Sequence, residues 1–213
     1  DADGIVYACG LNRHGVLGDG TMRNSTTPVR VARLDGASVT QLVAGFDNAG
    51  ALLSDGTYFD WGYDAEGQLG DGQVGRASDV PVRVRLPHRV RQVAQGGSIW
   101  HNGQTLVLLH DGSVWAWGDN STGQIGNGKR GIEPLPVRVH LPRRFTYQLL
   151  ATGGNTSYAV TTTGRVYAWG DSRVGQLGLG ALRLTRTPRL VARGATLISS
   201  TANNVVISGP GRA

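Results

Sequence analysis

The residues that most often carry chemistry are few in this chain of 213 residues, and they are scattered. The five histidines, His14, His88, His101, His110 and His140, show neither an H-x-x-x-H pair nor a Cys/His spacing that would set zinc ligands. Cys9 is the only cysteine, so no internal disulfide forms and redox chemistry says nothing of compartment. Glutamate occurs only at Glu66 and Glu133, with no paired carboxylates, nucleophile elbow or Ser/His/Asp signal. These residues supply no catalytic group, metal site or cofactor site, and the chain reads as non-enzymatic. Four glycine blocks, such as Gly67-Gln68-Leu69-Gly70-Asp71-Gly72, look at first like phosphate loops. Such loops need a helix whose N-terminus meets the phosphate. Here a polar stretch and a Pro-Val pair follow instead, so the glycines read as positive-φ turns.

Charge is the stronger signal. Net charge is +6 and the pI about 10.1, carried by 20 arginines against Lys129 alone. Arg30, Arg83 and Arg138 each follow a Pro-Val pair, where strand alternation sets valine and arginine on opposite faces. This basic rim reads either as an ordinary solvated strand face or as a stripe that meets an acidic protein or phosphates. Nucleic acid is thus a second partner class, without base-specific reading, since no known recognition motif occurs. No apolar run approaches the ~20 residues of a membrane-spanning helix. Asp1 opens neither a leader nor an initiator methionine, which points to a processed chain or a piece of a longer one.

The elements that must position these residues are set by a repeat. Val6-Tyr7-Ala8-Cys9-Gly10, Tyr58-Phe59-Asp60-Trp61-Gly62, Val114-Trp115-Ala116-Trp117-Gly118 and Val166-Tyr167-Ala168-Trp169-Gly170 have their last glycines 52, 56 and 52 residues apart. Each follows a turn glycine by six residues, in three copies as Asp-Gly. A glycine block, a Pro-Val strand and an apolar strand such as Val39–Ala44 complete each unit. Four short apolar segments in ~50 residues, repeated, describe blades of a β-propeller. The expected fold is all-β, with four-stranded antiparallel blades in one repeat domain over 1–213 and four units marked at 9–10, 61–62, 117–118 and 169–170. Trp61, Trp117 and Trp169, with Cys9 at the same position, read as packing between neighbouring blades.

The pattern Asp-Gly-x-Val-Tyr-Ala-Trp-Gly, then Gly-Gln-Leu-Gly-x-Gly, then Pro-Val, resembles the repeat of the regulator of chromosome condensation family over nearly the whole chain. The resemblance implies a propeller, usually seven-bladed. It also implies functions as different as nucleotide exchange on a small nuclear GTPase, β-lactamase inhibition and ultraviolet-B reception, because fold does not dictate function. Four units leave ring closure open: the chain closes on itself, a second copy completes it by self-association, or a longer chain does. A free arc is disfavoured, since unpaired strand edges aggregate.

The segments after each Trp-Gly position vary most between units, and loops on a rigid scaffold carry function. Arg13, His14, Asp64, Glu66, Asp119, Asn120 and Arg173 are therefore the candidate partner-binding residues. Trp100 and His101 join them. They lie in an insertion that stretches the interval from Gly96 to Gly112 to 16 residues, against 11 from Gly45 to Gly56. The function expected is a scaffold binding a protein through loops on one face. The alternative is a guanine nucleotide exchange factor or a chromatin-associated regulator. Partner identity and compartment are not encoded in any motif.

Overall fold

A computed structural model describes residues 4–34, 36–97, 103–180 and 183–209, and all of its regular elements are strands. β1 (Tyr7–Gly10) and β2 (Ser25–Arg30) form a half-blade. Three complete antiparallel blades follow. The first is β3 (Val39–Ala44), β4 (Asn48–Leu53), β5 (Tyr58–Gly62) and β6 (Ser78–Arg83). The second is β7 (Val90–Gly97), β8 (Gly103–Leu109), β9 (Val114–Asn120) and β10 (Gly131–Arg138). The third is β11 (Tyr147–Thr152), β12 (Thr156–Thr161), β13 (Val166–Gly170) and β14 (Thr185–Ala192). A second half-blade, β15 (Leu197–Ser200) and β16 (Val205–Ser208), ends the series.

Naming the four blade positions A to D in chain order, each sequence unit begins at the B–C turn, so it spans strands C and D of one blade and A and B of the next. Four units therefore yield three whole blades and two complementary halves. Among the described residues β1 pairs only with β2, and β15 only with β16, so closure of the chain on itself, one of the three arrangements the sequence leaves open, is not made. The physical reason lies in geometry: strands B and C of the split blade sit at opposite ends of an arc of three blades.

Five apolar clusters hold the arc together, and each joins neighbouring blades. Trp61 packs with Val31, Leu34 and Ala51; Trp117 with Leu52, Tyr58, Val84 and Val93; Trp169 with Leu106, Leu150 and Ala159. Ile198 and Ile207 close the last interface against Val160 and Val166. Each indole also donates Nε1–H to a carbonyl in the glycine block of the preceding unit: Trp61 to Val16 at 2.9 Å, Trp117 to Gln68 at 2.8 Å and Trp169 to Gln124 at 2.8 Å. The second block glycine lies directly against that indole. A Cβ on Gly70 or Gly126 would fall 2.8 or 2.6 Å from Nε1. The tryptophans are thus latches between blades, and Cys9, which holds that position in the first unit, is exposed.

Candidate binding surfaces

Because the strands alternate in direction, A–B and C–D connections gather at one end of the blades (here the upper end) and B–C and D–A connections at the other. All seven described candidates from the sequence fall at the upper end, in or next to C–D connections. Their roles there differ. Asp64 and Asn120 are fully buried, each accepting at Oδ1 the N–H of the residue before the second block glycine: Leu69 at 3.0 Å and Ile125 at 3.0 Å. Asn12 and Ser172 do the same for Leu17 and Leu177, at 2.9 and 3.4 Å. One repeat position therefore closes each loop from within, and Asp64 and Asn120 shape the surface without belonging to it. Asp119 is likewise 3% exposed and accepts from the Ser121 N–H at 2.8 Å and from Gln124 Nε2 at 2.6 Å.

The others reach solvent. Arg13 is exposed, and Glu66 is half-buried. His14 packs at a tilt against Tyr63, with ring centroids 4.6 Å apart, and sets Nδ1 3.6 Å from the Asp47 carboxylate, tying a C–D loop to the A–B turn of the next blade. Arg173 is exposed and grips Asp171 through Nε at 2.9–3.0 Å and Nη2 at 2.8 Å. Burial works against the Asp171 charge, but these bonds prevail and hold its carboxyl below the usual range. Trp100 and His101 lie outside the described residues.

The sequence reading missed the apolar side chains at this end. Leu11, Met22, Phe46, Val74 and Val174, each 46–65% exposed, all sit in A–B or C–D connections. Loop residues scattered one per unit show no periodicity, so only their common end reveals them.

The lower end has a different chemistry. Arg30, Arg83 and Arg138 occupy one register, opposite Tyr7, Phe59 and Trp115, and all three are exposed at the lower ends of their strands. The basic rim stops in the third whole blade, where Leu190 takes that register opposite Tyr167 and Arg189 shifts one residue up. Arg33, Arg85, Arg89, Arg91, Arg143, Arg144, Arg165 and Arg193 join the rim arginines at this end, making eleven against the carboxylates of Asp55 and Asp111. At the upper end, the described C–D and A–B regions hold seven arginines and Lys129 against nine carboxylates. The positive charge of the described residues therefore resides at one end of the arc. Two adjoining grooves cross it. One of about 930 Å³ is lined by Arg83, Arg85, Arg89, His88 and His110. Its neighbour, about 300 Å³, is lined by Arg91, Arg138 and Arg143 and shares His110 and Asp111 with it.

Meandering four-stranded antiparallel blades latched to one another by indoles define a β-propeller. The model for the regulator of chromosome condensation (RCC1) repeat matches residues 3–52, 55–99, 111–160 and 163–206, and the chain belongs to that family. Its relatives include the probable E3 ubiquitin-protein ligase HERC6 of Homo sapiens, 31% identical over 92% of this chain and 19% of that protein. The ultraviolet-B receptor UVR8 of Arabidopsis thaliana is 28% identical over 89% of this chain and 42% of that protein. The chain thus spans less than half the length of these relatives. Among solved structures, yeast RCC1 (Prp20) bound to Kap60 superimposes with a TM-score of 0.83 at 24% identity, covering 99% of this chain and 51% of that one. Human WBSCR16 gives 0.82 at 24% identity, covering 96% and 53%. At that identity the structural likeness establishes the fold.

Proposed function

We propose that the chain is a non-enzymatic propeller scaffold that holds a protein partner on its upper end. The observation that carries this reading is the confinement, among the described residues, of exposed loop hydrophobics to that end: Phe46 stands out from an A–B turn, and Leu11 and Val174 from C–D loops closed from within by buried Asn12 and Ser172. Protein interfaces draw most of their energy from a few apolar or aromatic anchors on a preorganised surface. Arg13, His14, Glu66 and Arg173 around them form a polar rim of mixed sign, which supplies orientation and specificity. Family relatives accord with this: the structures of Prp20 are described in complex with Kap60 and in terms of binding to Gsp1p and histones.

The test is retention of a protein partner from source extract at about 0.5 M salt, where purely ionic contacts are screened. The wild-type chain retains a defined partner, and the double substitution Leu11→Ser with Phe46→Ser releases it. Equal retention by both, or none by either, refutes the reading.

A further inference from the structure

We infer that the C–D loop of the first whole blade holds a calcium ion between Asp64 and Asp71. The inference stands on the loop's own acceptors and does not depend on the protein-binding reading.

The equivalent loops of the neighbouring units show what this position ordinarily does. Asn12 uses both ends of its amide: Oδ1 accepts from the Leu17 N–H at 2.9 Å, and Nδ2 donates to Asp19 Oδ1 at 3.2 Å and to the Thr21 carbonyl at 2.9 Å. Asn120 accepts from the Ile125 N–H at 3.0 Å and donates from Nδ2 to Asn127 Oδ1 at 3.2 Å. The second half of the loop also keeps its register. The N–H groups of Thr21, Gln73 and Lys129 bond Oδ1 of Asp19, Asp71 and Asn127 at 3.0, 2.8 and 3.0 Å.

The second unit has the same frame with the opposite chemistry. Asp64 Oδ1 accepts from the Leu69 N–H at 3.0 Å, which sets Oδ2 where the other units carry Nδ2. An acceptor therefore stands where a donor belongs, facing Asp71 and, by the shared register, the Gln73 carbonyl. Asp64 is fully buried, and its Oδ2 has no partner among the described residues. Arg76, in the same loop, is exposed and turns Nη1 to Gln73 Oε1 at 3.4 Å. A buried carboxylate beside a second carboxylate needs a counter-charge. Burial, and then the Asp71 charge, push the Asp64 carboxyl upwards accordingly. A proton joins only two of the three oxygens. A cation relieves all three, because neighbouring acceptors form one face of a coordination polyhedron and water fills the rest.

The donor set selects the ion. Two carboxylates and a carbonyl, without nitrogen or sulfur, suit a hard cation. Calcium accepts irregular shells of carboxylate, carbonyl and water, whereas magnesium demands a near-ideal octahedron. No group of three His, Cys, Asp or Glu side chains converges among the described residues, so the carbonyl and water are integral to the shell.

The experiment is a set of thermal melts of the full chain at pH 8, in chelator, in calcium chloride and in magnesium chloride, at constant ionic strength. A site with three protein ligands binds calcium at about 0.1–1 mM, the range of weak extracellular modules. About 10 mM calcium then raises the melting temperature by roughly 3–10 °C, and magnesium by less than half of that. Asp64→Asn restores the amide of Asn12 and Asn120, Asp71→Asn copies Asn127, and each loses the calcium response. Circular dichroism reports folding, and Asp71→Asn serves should Asp64→Asn disturb it. Sensitised terbium emission, excited through Tyr63 and the tryptophans, is a second readout: it appears with the wild type, is displaced by calcium and is absent from Asp64→Asn. No calcium response in the wild type, an equal response to magnesium, or a calcium response that survives both substitutions overturns the inference.

Discussion

Gly126 and Gly178 occupy the same place in the glycine block of successive units, with φ of +76° and +67°. Alanine at either position meets the same backbone penalty, since an L-residue in the left-handed region costs roughly 1–2 kcal/mol. Loss of the glycine's freedom in the unfolded chain returns about 0.4–1 kcal/mol of that. Gly178→Ala should therefore destabilise by about 1 kcal/mol, because no atom lies within 4 Å of its Cβ position. At Gly126 the same methyl would stand 2.6 Å from Nε1, 2.8 Å from Cδ1 and 3.0 Å from Cε2 of Trp169. That indole is fully buried and bonded to the Gln124 carbonyl at 2.8 Å, so it cannot move without breaking the latch. Overpacking adds about 1–3 kcal/mol and the lost hydrogen bond about 1 kcal/mol. The expected total for Gly126→Ala is about 3–5 kcal/mol. Urea unfolding followed by tryptophan fluorescence measures both variants, and the melting temperature should drop by roughly 2–4 °C per kcal/mol for a chain of this size. Losses that agree within about 1 kcal/mol would refute the latch, and with it the account of why tryptophan recurs in every unit except the first.

Further outcomes follow from two buried acids. Asp60 stands where the other units have alanine, between the first two whole blades, and accepts from Gln95 Nε2 at 3.0 and 3.1 Å and from the Tyr58 hydroxyl at 3.2 Å. Burial raises its carboxyl well above the usual range, outweighing those bonds. Its contribution is then fully present below the unfolded carboxylate pKa and is lost as pH rises towards the folded one, with a limiting slope of about 1.4 kcal/mol per pH unit. Asp60→Asn mimics the protonated acid and should flatten that part of the urea midpoint's pH profile. Asp60→Ala strands the Gln95 amide and should cost about 1–3 kcal/mol. Asp64 has a buried Oδ2 with no partner among the described residues, where Asn12 and Asn120 use Nδ2 to bond Thr21 O at 2.9 Å and Asn127 Oδ1 at 3.2 Å. Burial first, and then the Asp71 charge, push its carboxyl up to about 7. Asp64→Asn should accordingly stabilise the fold by an amount that grows as pH rises through 7, as thermal melts at pH 5 and 8 would show.

Strand quartets, their turns and the packing role of the tryptophans were legible because each is local or periodic. Asp55-Gly56 and Asp111-Gly112 turn as such dipeptides do, and Val82, Arg83 and Val84 alternate in environment as period two demands. The candidate residues were less legible. Variation between units pointed to the C–D connections, but it could not separate Arg13 and Arg173, which are exposed, from Asp64 and Asn120, which cap their own loops. A side chain that bonds a backbone N–H five residues on looks, in a string of letters, like any polar loop residue. Phe46 was passed over for the converse reason, since one aromatic in a turn carries no periodic signature.

The order of residues determined by itself that the chain would form short strands in units of about fifty and that arginine would dominate its charge. Tertiary structure decided where one blade ends and the next begins, that three blades would be whole and one divided, and that Arg85, Arg89, Arg138 and Arg143 would share a surface. The physical reason is the antiparallel meander: reversing direction at every strand sends alternate connections to opposite ends. Residues some fifty positions apart thereby become neighbours, while a connection and the next one along the chain are set on opposite sides of the molecule.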